Sequence, residues 1–492
     1  MTEGQATVEQ HAQLKATKML DRSKLALQDD FLRTAVRFTQ DKLRNKKRAT
    51  TEEFGNWEEW RARGSAIRAH TVEYLDYYLQ QFVENVRNAG GTVYFAKNAA
   101  EASAQVIKIA KDKKAKSIVK SKSMVSEEIH INKKLLNEKM EVVETDLGEY
   151  IIQLAEETPS HIIIPAIHKN RNQIKDLFNA AGGENLTTET KVLTAFARQT
   201  LREKFRNADI GITGCNFGIA ESGTVTLFTN EGNADMVTNL PKTHIVLMGM
   251  ERILPTFSDL EVMANLLPRS ATGQKLTTYM SMITGAKRND ELDGSSELHL
   301  IILDNGRSRQ LGDSQFQDVL KCIRCGACLN VCPVYRQVGG HSYGSVYPGP
   351  IGAVLSPLLN EGDKYSDLPF ASSLCGACSE ACPVQIPLHD MLVHLRQRAV
   401  ENGYGSAAER MAFKGFARTF SSSKRYRAAM GTARVLQKPF VRNGVISSQI
   451  GPLSGWTKGR DAPSLAKQSF RNRWSSLKQE LDTSGKGEWN RE

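Results

Sequence analysis

Residues 322–333 read CIRCGACLNVCP, and residues 375–383 read CGACSEACP. These two stretches contain seven of the eight cysteines of the chain. A shift of 50 residues places the second stretch on the first, except that Ser372 stands where the first copy has Cys322. The spacing C-x2-C-x2-C-x3-C-P is that of bacterial ferredoxins, so this part of the chain is predicted to fold around metal clusters.

The cysteine spacing predicts two iron–sulfur clusters that exchange ligands. Cysteines three residues apart on a short turn can bind three corners of one cubane cluster, and the cysteine before the proline binds the other cluster. The first cluster is therefore predicted to take Cys322, Cys325, Cys328 and Cys382. The second cluster is predicted to take Cys332, Cys375 and Cys378.

The second cluster lacks a fourth cysteine. It is therefore predicted to be a three-iron cluster, or a four-iron cluster with one corner that no thiolate binds. Ser372, Ser373, water or a ligand could fill that corner. His341 and Tyr343, which lie between the two motifs, could also approach it. The usual role of loop residues instead predicts that His341 is an ordinary loop residue and that Tyr343 is a packing residue.

Zinc, disulfide bonds and a thioredoxin-like pair explain the cysteines less well. A structural zinc site usually pairs two C-x2-C knuckles, whereas this pattern has too many thiols too close together. Disulfide bonds need an oxidising compartment, and the sequence carries no sign of export. A thioredoxin-type pair needs a single C-x-x-C.

The composition predicts a cytoplasmic protein of two or three domains. The chain has 492 residues, of which 40% are hydrophobic. No apolar run approaches the ~18 residues that a membrane span needs. The N-terminal sequence MTEGQATVEQHAQLK has no apolar stretch and is not predicted to be a signal peptide.

The net charge of +11 is concentrated toward the C-terminus. From Arg396 onward there are 19 Lys or Arg and 7 Asp or Glu, whereas residues 1–395 contain 46 and 47. This distribution argues against a basic groove for nucleic acid. Peripheral contact of the tail with a membrane surface, contact with an acidic partner, and a role in solubility alone all stay open.

The N-terminal two thirds of the chain divide into two predicted regions. Residues 1–65 are helical, and the basic run Arg44–Arg48, followed by Arg61 and Arg63, is predicted to be a solvated helix end. Residues 66–303 alternate helices with strands, which indicates an α/β domain with a mostly parallel, doubly wound sheet. The predicted strands are Thr92–Ala96, Ser117–Lys120, Glu141–Glu144, Ile162–Ile164, Asp209–Thr213, Thr224–Thr229, His244–Met250 and Leu298–Leu303.

Four loops after predicted strands carry hydroxyls, glycines, acids and one lysine. They are Ser121–Met124, Glu144–Glu149, Gly211–Gly218 and Asn230–Asn233. Because ligands of open α/β sheets bind at the carboxyl ends of the strands, these loops could form a pocket for a small anion or phosphate, with ordinary turns as an equal alternative. No standard nucleotide-binding motif is present. Cys215 is predicted to be a buried, inert thiol.

The remaining chain is predicted to be mainly helical. Residues 304–400 should form a two-cluster domain larger than a compact ferredoxin, because 42 residues separate Cys332 from Cys375. Residues 401–492 should form a basic tail with helices at Ala407–Phe420 and Tyr426–Leu436. The rest of the tail is predicted to be an extended arm that orders on a partner.

Nearly the whole chain resembles the lactate utilisation protein B family. The resemblance is carried by GITGCNFGIAESGTVTLFTNEGNADMVTNLPKTHIVLMGMERILPT (residues 211–256), CIRCGACLNVCPVY (322–335), GGHSYGSVYPGPIGAVLSPLL (339–359) and ASSLCGACSEACPVQIPL (371–388). It implies a LUD domain, whose fold is related to sugar-phosphate isomerases and CoA transferases, followed by a helical ferredoxin domain. It also implies two 4Fe-4S clusters, with the fourth ligand of the second unassigned.

The resemblance implies an electron-carrying role in the oxidation of L-lactate to pyruvate. The implied partners are a cysteine-rich CCG-type subunit and a second LUD-type subunit. Two other functions stay open: the chain itself oxidises lactate at the LUD loops or the open cluster corner, or its clusters serve redox sensing or assembly. A complete two-cluster motif favours electron transfer, whereas a missing ligand favours chemistry or sensing at the cluster.

Overall fold

The computed structural model describes residues 18–360, 362–447, 457 and 459–483. The N-terminal residues for which no signal peptide is predicted lie outside this part of the chain. The chain divides into two compact units, Met1–Asn402 and Gly403–Glu492. None of the helices in the described residues is both long enough and apolar enough to cross a membrane.

The first unit contains a six-stranded parallel sheet with strand order β1-β10-β7-β4-β2-β3. The described strands of this unit are β1 (Thr92–Ala96), β2 (Ser117–Lys120), β3 (Glu141–Glu144), β4 (Ile210–Thr213), β5 (Phe217–Ile219), β6 (Thr224–Thr229), β7 (Thr243–Gly249), β8 (Ile253–Leu254), β9 (Tyr279–Ile283) and β10 (Glu297–Leu303). The central strands β4 and β7 are buried along their whole length, as expected for a parallel sheet covered on both faces. The predicted α/β architecture is confirmed.

A second, four-stranded sheet with order β8-β5-β6-β9 was not predicted. Strand β6 pairs antiparallel with β5 and β9, whereas β5 pairs parallel with β8. Strand β6 was predicted, whereas β5 and β8, with three and two residues, are too brief to show a period in the sequence, and β9 was missed.

The predicted strand Ile162–Ile164 is wrong. This segment is a bend, because its backbone donors bind a side chain rather than a neighbouring strand. The Nδ1 atom of His161 accepts the N–H groups of Ile163 at 3.0 Å and Ile164 at 3.2 Å. Pro165 follows and has no N–H to give to a ladder.

Helices cover the sheet and build the cysteine-rich part of the unit. In chain order they are α1 (Met19–Ala26), α2 (Asp30–Phe54), α3 (Trp57–Glu73), α4 (Leu75–Asn88), α5 (Ala99–Asp112), α6 (Met124–Glu128), α7 (Ile131–Asn137), α8 (Leu147–Leu154), α9 (Arg171–Ala180), α10 (Thr190–Arg206), α11 (Asn233–Asn239), α12 (Phe257–Ala271), α13 (Arg307–Leu311), α14 (Ala327–Val331), α15 (Pro333–Val338), α16 (Gly349–Leu359), α17 (Ala377–Glu380) and α18 (Leu388–Glu401). Close packing needs glycine at Gly211 of β4, where a Cβ atom would lie 2.0 Å from the Val237 carbonyl oxygen on α11.

The N-terminal helices pack against the cysteine-rich part. On α2, the Nε2 atom of Gln40 donates to the carbonyl oxygens of Leu329 at 2.6 Å and Cys332 at 3.1 Å. Asp41, also on α2, pairs with Arg336 of α15 at 2.7 Å. Residues more than 280 positions apart in sequence therefore form one compact unit.

The second unit holds three helices and a small sheet within its described residues. They are α19 (Ala407–Phe420), α20 (Ser423–Leu436), β11 (Val441–Arg442), β12 (Val445–Ile446), β13 (Ala462–Pro463) and α21 (Phe470–Thr483). Both predicted helices of the tail are present. The predicted extended arm is contradicted over residues 470–483, which are helical; part of the remaining arm lies outside the described residues.

The buried His244 on β7 predicts a loss of stability in acid. Its Nε2 atom lies 2.8 Å from the Thr213 hydroxyl, and burial, with a smaller contribution from His299, lowers its pKa to about 3. The unfolded chain binds a proton near pH 6.5, so the stabilisation is present above that pH and is lost as the pH falls toward 3. Between pH 7.5 and pH 5 we expect His244 to remove about 2 kcal/mol of the free energy of unfolding.

Urea unfolding of the wild type and of His244→Gln at both pH values measures this effect. The variant should lose less stability in acid than the wild type, by about the same 2 kcal/mol. His70→Gln, at an exposed histidine of α3, is the matched control and should retain the full dependence. Equal losses in the wild type and in His244→Gln would contradict the assignment.

Candidate metal centre

The two cysteine motifs adopt the same local structure. Gly326 and Gly376 occupy equivalent places in the repeat and have φ angles of 73° and 78°, a left-handed conformation that glycine adopts at little cost. Each glycine precedes a short helix, α14 or α17, that carries the next cysteine of the motif. The sequence repeat is therefore also a structural repeat.

Six of the seven motif cysteines are buried, and Cys375 is exposed. The buried ones are Cys322, Cys325, Cys328, Cys332, Cys378 and Cys382. They belong to the same apolar core as residues of α12, α16 and α18. One corner of the cysteine site therefore reaches the surface, at the second motif.

The fold brings cysteines of the two motifs together. Cys382 of the second motif interacts electrostatically with Cys322 of the first, and Cys325 interacts most strongly with Cys382. Cys378 interacts first with Cys332 and then with Cys375. The three interactions between the motifs, Cys322–Cys382, Cys325–Cys382 and Cys332–Cys378, join residues that are 60, 57 and 46 positions apart in the sequence.

The sulfur atoms are not arranged for a single metal ion. Among the described residues, the one trio of His, Cys, Asp or Glu side chains with ligand atoms all within 4.8 Å is Glu157, His168 and His341, which contains no cysteine. A tetrahedral zinc with Zn–S bonds of about 2.3 Å needs sulfur atoms less than about 4 Å apart. The wider spacing fits a polynuclear cluster.

The thiols need a metal to ionise. Burial raises the pKa of Cys325 to about 12 and the pKa of Cys378 to about 11. Iron in a cluster binds cysteine as the thiolate, and its positive charge offsets this cost. Backbone N–H groups also reach the sulfurs: those of Arg324 and Tyr335 lie 3.4 Å from Sγ of Cys322 and Cys332, respectively.

Cations from distant parts of the chain bind carbonyl oxygens in both cysteine motifs. Lys47 Nζ donates to the Ala381 carbonyl at 2.7 Å, and Arg61 Nε donates to the Cys382 carbonyl at 3.0 Å. Arg252 Nη1 donates to the Cys322 carbonyl at 2.7 Å. The prediction of a solvated basic run is therefore wrong for Lys47 and Arg61, because carbonyl oxygens near the cysteines bind their charges.

Arg68 on α3 fixes the first motif against the sheet. Its guanidinium is fully buried and donates to four backbone carbonyl oxygens. Two of them, Leu320 at 2.9 Å and Lys321 at 3.3 Å, precede Cys322. The other two carbonyls are each 2.5 Å away: that of Glu251 follows β7, and that of Ile253 lies in β8. Burial lowers the pKa of Arg68 to about 9, which still leaves it charged at neutral pH.

The residues predicted as candidates for the open corner of the second cluster have different surroundings in the structure. Tyr343 is fully buried with its hydroxyl beside the Cys332 thiol, and burial, then Cys332, raise its pKa. His341 instead contacts the Thr158 carbonyl oxygen at 2.7 Å. The Ser372 hydroxyl accepts the Leu374 N–H at 3.1 Å. Tyr343 therefore lies beside Cys332, a predicted ligand of the second cluster, whereas His341 and Ser372 have contacts of their own.

A cavity of about 270 Å³ lies at the carboxyl ends of the parallel strands. Residues of all four predicted loops line it, so their convergence is confirmed. Asp146 ties two of them together, because its carboxylate accepts the Lys122 N–H at 2.7 Å and Asn233 Nδ2 at 2.8 Å. Cys215 also lines the cavity, half-buried, and burial raises its pKa to about 12, as expected for an inert thiol.

The cavity borders the first cysteine motif, which sequence reasoning missed. Arg252 and Arg324 are among its lining residues, and Arg324 stands between Cys322 and Cys325. An arginine inside a ligand motif was a visible signal in the sequence. Arg252, 70 positions before Cys322, carried no such signal.

The fold and the cysteine site define an iron–sulfur protein in which an α/β domain precedes a ferredoxin-type domain with two 4Fe-4S clusters. Residues 79–303 match the LUD domain family, residues 318–386 the 4Fe-4S dicluster domain family, and residues 395–479 the family "Lactate utilisation protein B, C-terminal". These matches confirm the resemblance seen in the sequence.

Two relatives with the name Lactate utilization protein B match along almost their whole length. The protein of Oceanobacillus iheyensis is 53% identical over 450 residues, which cover 91% of this chain and 94% of the relative. The protein of Macrococcus caseolyticus is 54% identical over 453 residues, which cover 91% and 95%. The chain therefore belongs to the lactate utilization protein B family.

A solved structure with weak similarity is that of a DUF162 family protein from Deinococcus radiodurans. It is 15% identical, the match covers 46% of this chain and 98% of that chain, and the TM-score is 0.26. A score this low supports no structural argument.

Removal of the Arg68 side chain is predicted to destabilise the first unit. Arg68→Met leaves four buried carbonyl oxygens without their donor, and we expect a loss of at least about 3 kcal/mol in the free energy of unfolding. Because two of these carbonyls directly precede Cys322, the iron content per chain should fall as well.

Urea unfolding and an iron assay check this prediction. Arg63→Met on the same helix is the control, because Arg63 is exposed, and it should change neither quantity. Wild-type stability and iron content in Arg68→Met would show that the carbonyl contacts are dispensable.

Proposed function

We propose that the chain is the electron-transfer subunit of a system that oxidises L-lactate to pyruvate, and that electrons pass singly through two 4Fe-4S clusters. When bound, the clusters supply one-electron redox chemistry. The observation that carries the proposal is the contact between the two cysteine motifs within one apolar core, in a member of the lactate utilization protein B family.

The proposed ligands follow the crossed ferredoxin pattern. The first cluster is held by Cys322, Cys325, Cys328 and Cys382. The second cluster is held by Cys332, Cys375 and Cys378, with its fourth ligand unassigned. The strongest cysteine interactions of Cys325, Cys378 and Cys328 are with Cys382, Cys332 and Cys325, respectively, which supports this division. A weaker interaction of Cys328 with Cys378 joins the two proposed ligand sets, which therefore lie close together.

The burial of the cysteines supports a direction for the electrons. The first motif borders the cavity at the strand ends, whereas Cys375 of the second motif is exposed. Leu374 and Phe370 beside it expose 37% and 51% of their surface. The first cluster is therefore proposed to receive electrons and the second to pass them to a partner, since partners dock on exposed, partly apolar patches.

The proposed partners are a cysteine-rich CCG-type subunit and a second LUD-type subunit of the lactate utilisation system. The proposed location is the cytoplasm, where reducing conditions keep the seven cysteines available to iron. The basic region after residue 395 is proposed to contact one of these subunits or, peripherally, a membrane surface, because positive charge favours acidic surfaces.

A second candidate function is oxidation of lactate by this chain itself. It is favoured by one observation, the polar cavity that borders the first cysteine motif. Ligands of open α/β sheets bind at the carboxyl ends of the strands, which is where this cavity lies.

Loss of Cys382 is predicted to damage the first cluster and to spare the second. In Cys382→Ser, EPR spectra of the reduced chain should lose or shift the signal of the cluster held by the first motif, because the fourth ligand comes from the other motif. Cys215→Ser is the matched control and should leave both signals unchanged, since Cys215 lies outside the motifs. A change in the second signal alone would refute the crossed arrangement.

The lone chain is predicted not to be reduced by L-lactate. The anaerobically purified holoprotein should keep oxidised clusters with L-lactate alone and become reduced after the two partner subunits are added, as followed by absorbance and EPR. Reduction by L-lactate without partners would reject a pure relay and establish the second candidate function.

A further inference from the structure

The cavity has the size of a small organic ligand. A volume of about 270 Å³ far exceeds the ~10–15 Å³ that one water requires by the same kind of measure, so the cavity has room for a small organic ligand. Its walls combine apolar side chains such as Ile162 and Leu267 with hydroxyl, amide and charged groups. This mixture is typical of ligand sites.

One side of the Arg324 guanidinium lines the cavity with a donor that the described residues leave unused. Its Nη1 atom is buried without a hydrogen bond among the described residues. The rest of the guanidinium is fixed: Nη2 lies 3.4 Å from a Glu251 carboxylate oxygen, and the group lies 4.9 Å over the Tyr347 ring. A buried N–H donor that no protein atom satisfies costs about 1–3 kcal/mol, which a bound acceptor would recover.

The backbone of Arg324 is also unusual. Its φ angle is 59°, a left-handed conformation that is uncommon for residues other than glycine. This conformation accompanies the placement of Arg324 between Cys322 and Cys325. Leu374, which occupies the equivalent place in the second motif, has a φ angle of 54°, so this conformation belongs to the repeated cysteine turn, which in the first motif turns an arginine toward the cavity.

The acidic groups of the cavity already have partners in the protein. Glu251 accepts Arg307 Nε at 2.7 Å, and Glu231 accepts the Leu147 N–H at 2.9 Å. Asp146 binds the Lys122 N–H and Asn233. Of these acids, Glu251 is paired with arginine, and the other two accept neutral N–H donors. Among the described residues, the ammonium of Lys122 lies 3.3 Å from both a Glu149 carboxylate oxygen and the Ile163 carbonyl oxygen, distances long enough to leave room for a closer anion.

We propose that this cavity binds the carboxylate of a small organic acid, with Arg324 as the main anion contact and Lys122 as a second. Arg324 donates from Nη1 to a carboxylate oxygen, and the hydroxyl and amide groups of the loops contact the remainder of the acid. The acid then lies beside the loop of Cys322 and Cys325. The site rests on the proposed function only for the choice of lactate as a probe.

The experiment measures binding to the oxidised holoprotein without partner subunits. Equilibrium dialysis with labelled L-lactate and with oxalate gives dissociation constants for the wild type, Arg324→Gln and Lys122→Gln. Arg63→Gln and Lys116→Gln, at exposed positions, are the matched controls. An iron assay on each variant shows whether both clusters are loaded.

We expect L-lactate and oxalate each to bind, and the dissociation constant of each probe to be the same in the controls as in the wild type. Arg324→Gln should weaken binding at least tenfold, since a charge-assisted hydrogen bond of about 1.5–3 kcal/mol is lost. Lys122→Gln should weaken it severalfold, and this variant decides the matter if Arg324→Gln fails to load its clusters. No binding of either probe, or unchanged constants in both variants, would overturn the proposal.

The outcome is independent of electron transfer. A chain that passes electrons between the partner subunits but binds neither acid overturns the cavity site and leaves the relay intact. A chain that binds the acids through Arg324 but passes no electrons overturns the relay and leaves the site intact.

Discussion

The buried guanidinium of Arg68 joins three parts of the first unit. It donates to carbonyls before Cys322 and to carbonyls after β7, while its own helix belongs to the N-terminal region. Leu320 and Lys321 end a 3₁₀ helix, Gln317–Lys321, and the ladder bonds of β8 are accepted by the carbonyls of Arg252 and Leu254 rather than by that of Ile253. A charged donor in a buried place is costly unless every bond is made, so the relative position of sheet, helix and cysteine loop is tightly defined.

A second buried network, made of ion pairs, connects the first cysteine motif to the segment that follows β10. Arg307, after β10, binds Glu128 at 2.9 Å and Glu251 at 2.7 Å, and Glu251 also pairs with Arg324 of the first motif. Opposite charges, with Arg307 and Arg324 first, hold the pKa of Glu251 near 2 despite its burial. Because removal of one member would leave the others charged and buried, the chain of ions behaves as a unit.

The sequence predicted correctly those features that depend on interactions between residues close together in the chain. The apolar run of β7 and the repeated cysteine spacing each specify a structure within a few residues, and both are confirmed. Ile162–Ile164 has the same apolar character, yet the His161 side chain takes its N–H groups, which no periodicity reveals. The contact of Arg61 with Cys382 spans 321 positions, so only the folded chain shows it.

Arg324 belongs at once to the cysteine loop and to the cavity, and this shared position has a thermodynamic consequence. Reduction adds a negative charge to a cluster, which weakens the attraction of the same arginine for an anion. By linkage, an anion that prefers the oxidised state tenfold must lower the reduction potential by about 59 mV, and reduction must favour its release by the same factor. One side chain thus couples occupancy of the cavity to the redox state of the protein.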